Sequence, residues 1–197
     1  ETTISHQDDD EPGVLGGRSP VIRMDLDGIG PVVVKPYTRG GIIRRIIHRT
    51  YLRTGTPRCR KEYMLLDRLR KLGVRAPTPI AFAYAGHLFY HAWLISKELT
   101  DTLPMAVIAK NYPDRCRLAM RDLQPQLSIL VANRILHVDL HPGNVLVDPD
   151  GRAYLIDFDK ARMWRRGANQ LRRRYRDRWQ RAVVKHGLPR ILNTLAV

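Results

Sequence analysis

The stretch His137–Asp159, "HVDLHPGNVLVDPDGRAYLIDFD", decides the fold. It sets Asp139, Asn144 and Asp157 around two short apolar runs, which Asp148-Pro149-Asp150-Gly151 separates. Asp-Pro-Asp-Gly is turn chemistry and the flanking runs have strand character, so the stretch reads as loop, strand, turn, strand. Asp139 and Asn144 then occupy the loop, and Asp157 ends the second strand. A hairpin of this kind brings two carboxylates and a carboxamide close together, as a flexible loop would not. The alternative is plain: Asp and Asn are common loop residues, and three of them can cap turns without doing chemistry.

Outward from this stretch, the chain has 197 residues, enough for one large domain or two small lobes with a core. Its hydrophobic content of 44% is that of a globular protein, but its net charge of +15 is not ordinary and predicts an anionic partner. Two cysteines, Cys59 and Cys116, argue against a disulfide framework and for a reducing compartment. The first residues, "ETTISHQDDDEPG", are polar and acidic, which is not the character of a signal peptide; the first dozen read as a disordered arm. The most apolar window, Pro79–Ser96, is broken by Gly86, His87 and His91, and its Tyr, Phe, Trp and Ile favour strands. It reads as a buried hairpin turning at Ala85-Gly86-His87, not as a membrane span.

Before that hairpin, "VIRMDLD" and "PVVVKPY" read as strands joined by a turn at Asp27–Gly30. A helix follows, with Thr56 as N-cap, Pro57 in its first turn and Gly73 as its stop. Beyond Thr102, "LPMAVIAKN" and "PDRCRLAMRDLQPQLSILVANR" look helical, with Pro125 a kink or a break. A last helix starts near Asn169, aligns Leu171, Tyr175, Trp179 and Val183 on one face, and stops at Gly187 with Pro189 beyond. The expected architecture is α+β with two lobes. Residues 1–98 form a small N-terminal sheet with one helix, residues 99–197 a shortened, mainly helical C-terminal lobe, and Glu98–Asp101 a hinge.

Phosphoryl transfer from ATP needs Mg²⁺ on the phosphate oxygens, hard oxygen ligands around the metal, and a carboxylate for the attacking hydroxyl's proton. Asp139 has the position of that base, while Asn144 and Asp157 have those of metal ligands. His-x-Asp followed by Asn144 and then Asp157-Phe158 resembles the catalytic and metal loops of the protein-kinase-like superfamily. That resemblance sends the search upstream. Lys35 ends the "VVVK" strand, where the family's phosphate-holding lysine sits. Glu62 shares a helical stripe with Cys59, Leu66 and Leu69. A carboxylate on an apolar face is unfavourable without a cation, so Glu62 is expected to pair with Lys35; the alternative is a surface Glu62 meeting Arg58 one turn back. "GVLGGRS" offers Gly16 and Gly17 as a phosphate loop, without forming a full G-x-G-x-x-G; glycines beside a disordered arm are the alternative.

Departures from protein kinases narrow the acceptor. His141 stands where serine/threonine kinases usually carry a lysine, Asp159 replaces the glycine of Asp-Phe-Gly, and no Ala-Pro-Glu follows. These features point to a small hydroxyl compound. The runs "VVVKPYTRGGIIRRIIHRTYLRTG", "RKEYMLLDRLRKLGVRAPTPIAF", "HVDLHPGNVLV" and "YLIDFDKAR" resemble the bacterial lipopolysaccharide kinase family, closest to its members that act on 3-deoxy-D-manno-octulosonic acid (Kdo). The resemblance covers roughly Gly16 to Trp179. It implies ATP and Mg²⁺, a Kdo hydroxyl on lipid A-linked inner core as acceptor, and a peripheral location on the cytoplasmic side of the inner membrane. By it, Asp139 is the base, Asn144 and Asp157 hold metal, Lys35 and Glu62 hold phosphate, and His137 props the loop. Heptose kinases, aminoglycoside kinases, RIO-like protein kinases and a nucleotide-binding scaffold are the alternatives.

The charge map bears on partners separately. Gly28–Lys61 contains no acidic residue, while Arg39, Arg44, Arg45 and Arg49 alternate with Ile42, Ile43, Ile46 and Ile47, a mixture suited to an anionic membrane surface. Arg172, Arg173, Arg174, Arg176, Arg178 and Arg181 add a second basic face, and a solvated helix is the alternative for each run. Nucleic acid is not expected, because the aromatics fall at core-like spacing and not in an RNA-reading pattern.

Overall fold

The computed structural model describes residues 21–37, 51–52, 56–86, 89–193 and 195–197. Gly16, Gly17, the amino-terminal arm and the Arg39–Arg49 run lie outside these residues, as does His87 of the expected turn. The chain divides into two compact units, one running to Asp67 and adding Pro77–Glu98, the other made of Arg68–Ala76 and Leu99–Val197.

The first unit is built on an antiparallel sheet. β1 (Ile22–Leu26) and β2 (Gly30–Pro36) pair in a tight register, Ile22 opposite Val34 and Leu26 opposite Gly30. Gly28 and Gly30 carry positive φ angles of 74° and 87° at the turn, which glycine adopts without a Cβ penalty. β3 (Tyr51–Leu52) is a two-residue strand, and α1 (Arg58–Lys71) follows it. The helix closes with bonds from Gly73 N–H to Arg70 O and from Val74 N–H to Leu69 O, with Gly73 at φ 88°. That is the left-handed stop expected of a glycine at this place. β4 (Pro79–Ala85) and β5 (Phe89–Lys97) form the aromatic hairpin, and β5 also pairs with β2 and β3. The hairpin is less buried than expected: Ala92 and Leu94 are in the core, but Ala83, Tyr84 and Ala85 are exposed. No helix among the described residues is long and apolar enough to cross a membrane.

The second unit is mainly helical. Leu103–Pro104, expected to open a helix, instead form β6, which pairs with the site hairpin, and α2 (Met105–Asn111) starts after it. Pro104 lacks an N–H and presets φ, so it suits the residue before a helix as well as its first turn. α3 (Pro113–Ala132) runs unbroken through Pro125. Pro125 and Arg121 both face solvent, so the carbonyl deprived of its helical partner is open to water. β7 (Ile135–Leu136), β8 (Val145–Val147), β9 (Ala153–Leu155) and β10 (Arg162–Met163) follow in short pieces, then α4 (Ala168–Lys185). Leu171, Tyr175, Trp179 and Val183 form the buried face of α4, and Gly187 at φ 56° ends it. Trp179 Nε1–H donates to Leu192 O at 2.7 Å, tying the carboxy-terminal turn to this helix.

Candidate active site

In the first unit Lys35 and Glu62 meet. Lys35 Nζ is 3.2 and 3.3 Å from the two carboxylate oxygens of Glu62. Glu62 is 4% exposed and shares its buried stripe with Cys59, Leu66 and Leu69, as the helical spacing predicts. A third participant was not legible in the sequence: the buried Tyr37 donates its hydroxyl to Glu62 Oε2. Tyr37 lies two residues beyond Lys35, so the two side chains leave the same face of the strand. The "KPY" spacing is the signal that, in retrospect, pointed to it.

In the second unit β8 and β9 pair as Val145–Leu155, Leu146–Tyr154 and Val147–Ala153 around the Asp148–Gly151 turn. Asp148 organises that turn, accepting from Arg152 N–H at 2.8 Å through Oδ1, while Gly151 takes φ 81°. β9 is clamped on its other edge. Leu155 N–H donates to Arg75 O at 2.8 Å, Ala153 N–H to Asp122 Oδ2 at 2.9 Å, and the buried Gln126 to Ala153 O at 3.0 Å. The hairpin therefore has partners on both edges, which fixes the residues at its ends.

Those ends carry the predicted residues. Asn144 Nδ2 donates to Asp139 O at 2.9 Å, which leaves the oxygen end of the carboxamide as the end able to accept a metal. Ile156 N–H donates to Asn144 O at 3.1 Å, so Asp157 follows directly on the backbone that touches Asn144. Asp157 lies two residues past β9 and has φ 64°. Left-handed backbone is unfavourable for a residue with a Cβ, and it gathers at functional sites where the surroundings impose it. The imposing surroundings are visible: Phe158 is buried against His137, ring centroids 4.5 Å apart, and His137 Nε2 lies 2.9 Å from Ile156 O. His137 N–H in turn donates to the Tyr175 hydroxyl at 3.0 Å, and that hydroxyl donates to Ile135 O. His137 thus has the propping contacts expected of it, and Tyr175, which the helix pattern marked only as core, anchors the strand before the loop.

Asp139 faces an unexpected partner. Arg178 of α4 donates to Asp139 Oδ1; both side chains are about two-thirds buried. By sequence Arg178 was one of a run of arginines, and only the packing of α4 separates it from the exposed Arg173, Arg174, Arg176 and Arg181. His141 occupies the kinase lysine position and caps the short helical turn Pro142–Asn144, its Nδ1 accepting from Gly143 N–H at 3.0 Å. Burial pushes the His141 imidazole down to about 4; Asp139 opposes this, while Arg178, His137 and His186 reinforce it. His141 is therefore neutral at physiological pH. Among the described residues no group of three or more His, Cys, Asp or Glu side chains gathers into a metal cage. Asn144 and Asp157 fit Mg²⁺, which takes one or two protein oxygens and fills its shell with water and phosphate.

A small antiparallel sheet with one helix, followed by a helical unit whose hairpin carries this loop, is the arrangement of a protein-kinase-like phosphotransferase fold. The model of the lipopolysaccharide kinase (Kdo/WaaP) family matches residues 21–189, and the chain belongs to that family. It is similar to the 3-deoxy-D-manno-octulosonic acid kinase of Vibrio cholerae, 30% identical over 172 residues, covering 83% of this chain and 72% of the relative. The enzyme of the same name from Photobacterium profundum is 34% identical over 139 residues, covering 66% of this chain and 56% of the relative. That from Vibrio parahaemolyticus is 28% identical over 158 residues, covering 79% and 66%. The chain thus spans between about half and three-quarters of the length of these relatives.

Proposed function

We propose that this chain transfers the γ-phosphate of ATP to a hydroxyl of Kdo in the lipopolysaccharide inner core. The reading rests on the family match over residues 21–189, taken with Asp139, Asn144 and Asp157 on one loop and hairpin. Asp139 accepts the proton of the attacking hydroxyl. Asn144 and Asp157 hold Mg²⁺, which when bound neutralises charge on the phosphate oxygens. In the first unit, Lys35 takes up phosphate while Glu62 and Tyr37 hold its ammonium in place. Gly16 and Gly17 are part of the same proposal as backbone donors to phosphate.

Transfer from ATP and Mg²⁺ to a Kdo-bearing lipid A precursor, read by mass spectrometry, tests the reading. A Kdo-free precursor, a basic protein and an aminoglycoside run alongside. One phosphate on the Kdo lipid alone is expected; transfer to the protein or the aminoglycoside refutes the acceptor. Asp139→Asn is expected to lower kcat by about 10²–10⁴ with nucleotide affinity little changed. The acceptor is a lipid, so the proposal includes peripheral binding to the anionic cytoplasmic face of the inner membrane. Arg39, Arg44, Arg45 and Arg49, and the exposed arginines of α4, would make the contacts. Co-sedimentation with anionic vesicles checks it, and equal recovery with neutral vesicles refutes it.

A further inference from the structure

Arg178 is not explained by the chemistry assigned so far. A base that takes a proton from a hydroxyl does not need a guanidinium on one of its oxygens. Yet α4 is built to deliver one. Trp179, the next residue, is locked in the core by its bond to Leu192 O, and Tyr175, three residues before Arg178, is bonded to the strand that leads into the Asp139 loop. Between these anchors Arg178 reaches Asp139 Oδ1 and leaves Oδ2 for a hydroxyl. Among the described residues this is the one hydrogen bond that the guanidinium makes, and about a third of the side chain remains open to solvent. Arginine carries five N–H donors in a planar fork, so four remain, aimed from the same plane.

The loop itself brings no such charge. His141, two residues after Asp139, turns its Nδ1 to the Gly143 N–H and serves as a cap of the turn. An acceptor that is itself an acid would set a second carboxylate beside Asp139, and like charges at that range repel unless a cation lies between them. Arg178 is already bonded to one of the two.

We infer that Arg178 is a positioning and acceptor-recognition residue: one N–H fixes the Asp139 carboxylate, and the remaining donors receive the carboxylate of an acidic sugar acceptor. The inference rests on the proposed acceptor and names the group by which it is told from neutral sugars. A lysine would keep the charge but lose the fork that spans two carboxylates.

The test compares a Kdo-bearing lipid A precursor with the same compound carrying the Kdo acid as its methyl ester. Wild type, Arg178→Gln, Arg178→Lys and Lys185→Gln, an exposed cation of the same helix, are assayed for KM and kcat. Arg178→Gln is expected to raise KM for the acid by about 10- to 100-fold, the usual cost of losing a charge-assisted hydrogen bond. It should leave KM for the ester and for ATP near wild-type values. Arg178→Lys should recover part of the acid KM and keeps the test alive if Arg178→Gln does not fold; Lys185→Gln should match wild type. Equal KM changes for acid and ester overturn the inference and leave the acceptor reading intact. A raised KM for ATP also overturns it, placing the guanidinium on phosphate. No transfer to the Kdo lipid by wild type overturns the acceptor reading itself, and the inference with it.

Discussion

Replacing Tyr37 by Phe takes one donor from a buried carboxylate and leaves the ring's volume in place. Glu62 is 4% exposed, so water cannot readily replace the lost hydroxyl. A hydrogen bond to a charged group contributes about 1.5–3 kcal/mol. Lys35 Nζ stays within 3.2 and 3.3 Å of the same carboxylate, so the charge keeps a partner and the loss falls near the lower end, about 1.5–2 kcal/mol. Glu62→Gln removes the charge that Lys35 faces. It should cost more, about 2–3 kcal/mol, because Lys35 is only a quarter exposed and cannot fully re-solvate. Urea unfolding of wild type, the two single variants and the double variant closes the cycle. The expected coupling between Tyr37 and Glu62 is about 1 kcal/mol, above the 0.3–0.5 kcal/mol within which independent sites add. The same variants should lower kcat/KM for ATP in the order of their instability, since the ammonium of Lys35 is aimed by Glu62. A Tyr37→Phe protein as stable as wild type, or strictly additive with Glu62→Gln, would refute the reasoning.

Two further outcomes follow from the second unit. His141 has its folded-state pKa depressed to about 4 from the ordinary 6.5 by burial, so the unfolded chain takes up this proton first. Stability linked to His141 is then full above about pH 6.5 and declines as pH falls towards 4. His141→Asn retains a side-chain acceptor for Gly143 N–H and should flatten that part of the profile, seen as a smaller wild-type-minus-variant difference at pH 4.5 than at pH 7.5; an unchanged difference refutes it. Gly151→Ala puts a Cβ 2.8 Å from Leu118 Cβ on top of its φ of +81°, whereas Gly187→Ala meets nothing within 4 Å at φ +56°. Backbone strain alone predicts about 1–2 kcal/mol for Gly187→Ala, and Gly151→Ala should exceed it in urea unfolding; equal costs for the two variants refute the clash.

Much of the molecule was legible from local chemistry. Asp-Gly and Asp-Pro-Asp-Gly specify tight turns, Gly73 and Gly187 specify left-handed helix ends, and the stripes of α1 and α4 declare which faces are buried. The spacing from His137 to Asp157 could be read as a loop and a hairpin because the hairpin is short and its register follows from its turn. The buried position of Glu62 on an apolar stripe demanded a cation, and Lys35 was there.

What the sequence could not settle were interactions between segments far apart in the chain. Leu103–Pro104 became a strand because β8 offered a hydrogen-bonding edge, a tertiary demand that outweighed local helical character. Tyr37 reaches Glu62 only because β2 and α1 pack together in one unit. The left-handed backbone of Asp157 is held by Phe158, by His137 of the preceding loop and, through His137, by Tyr175 of α4. Arg178 is one arginine among six in a run, and nothing in their order distinguishes it. The rotation of α4 about its buried Tyr175 and Trp179 turns that one guanidinium to Asp139 and leaves Arg173, Arg174, Arg176 and Arg181 in water. Composition sets how many charges a chain carries; packing decides which of them loses its water and gains a carboxylate.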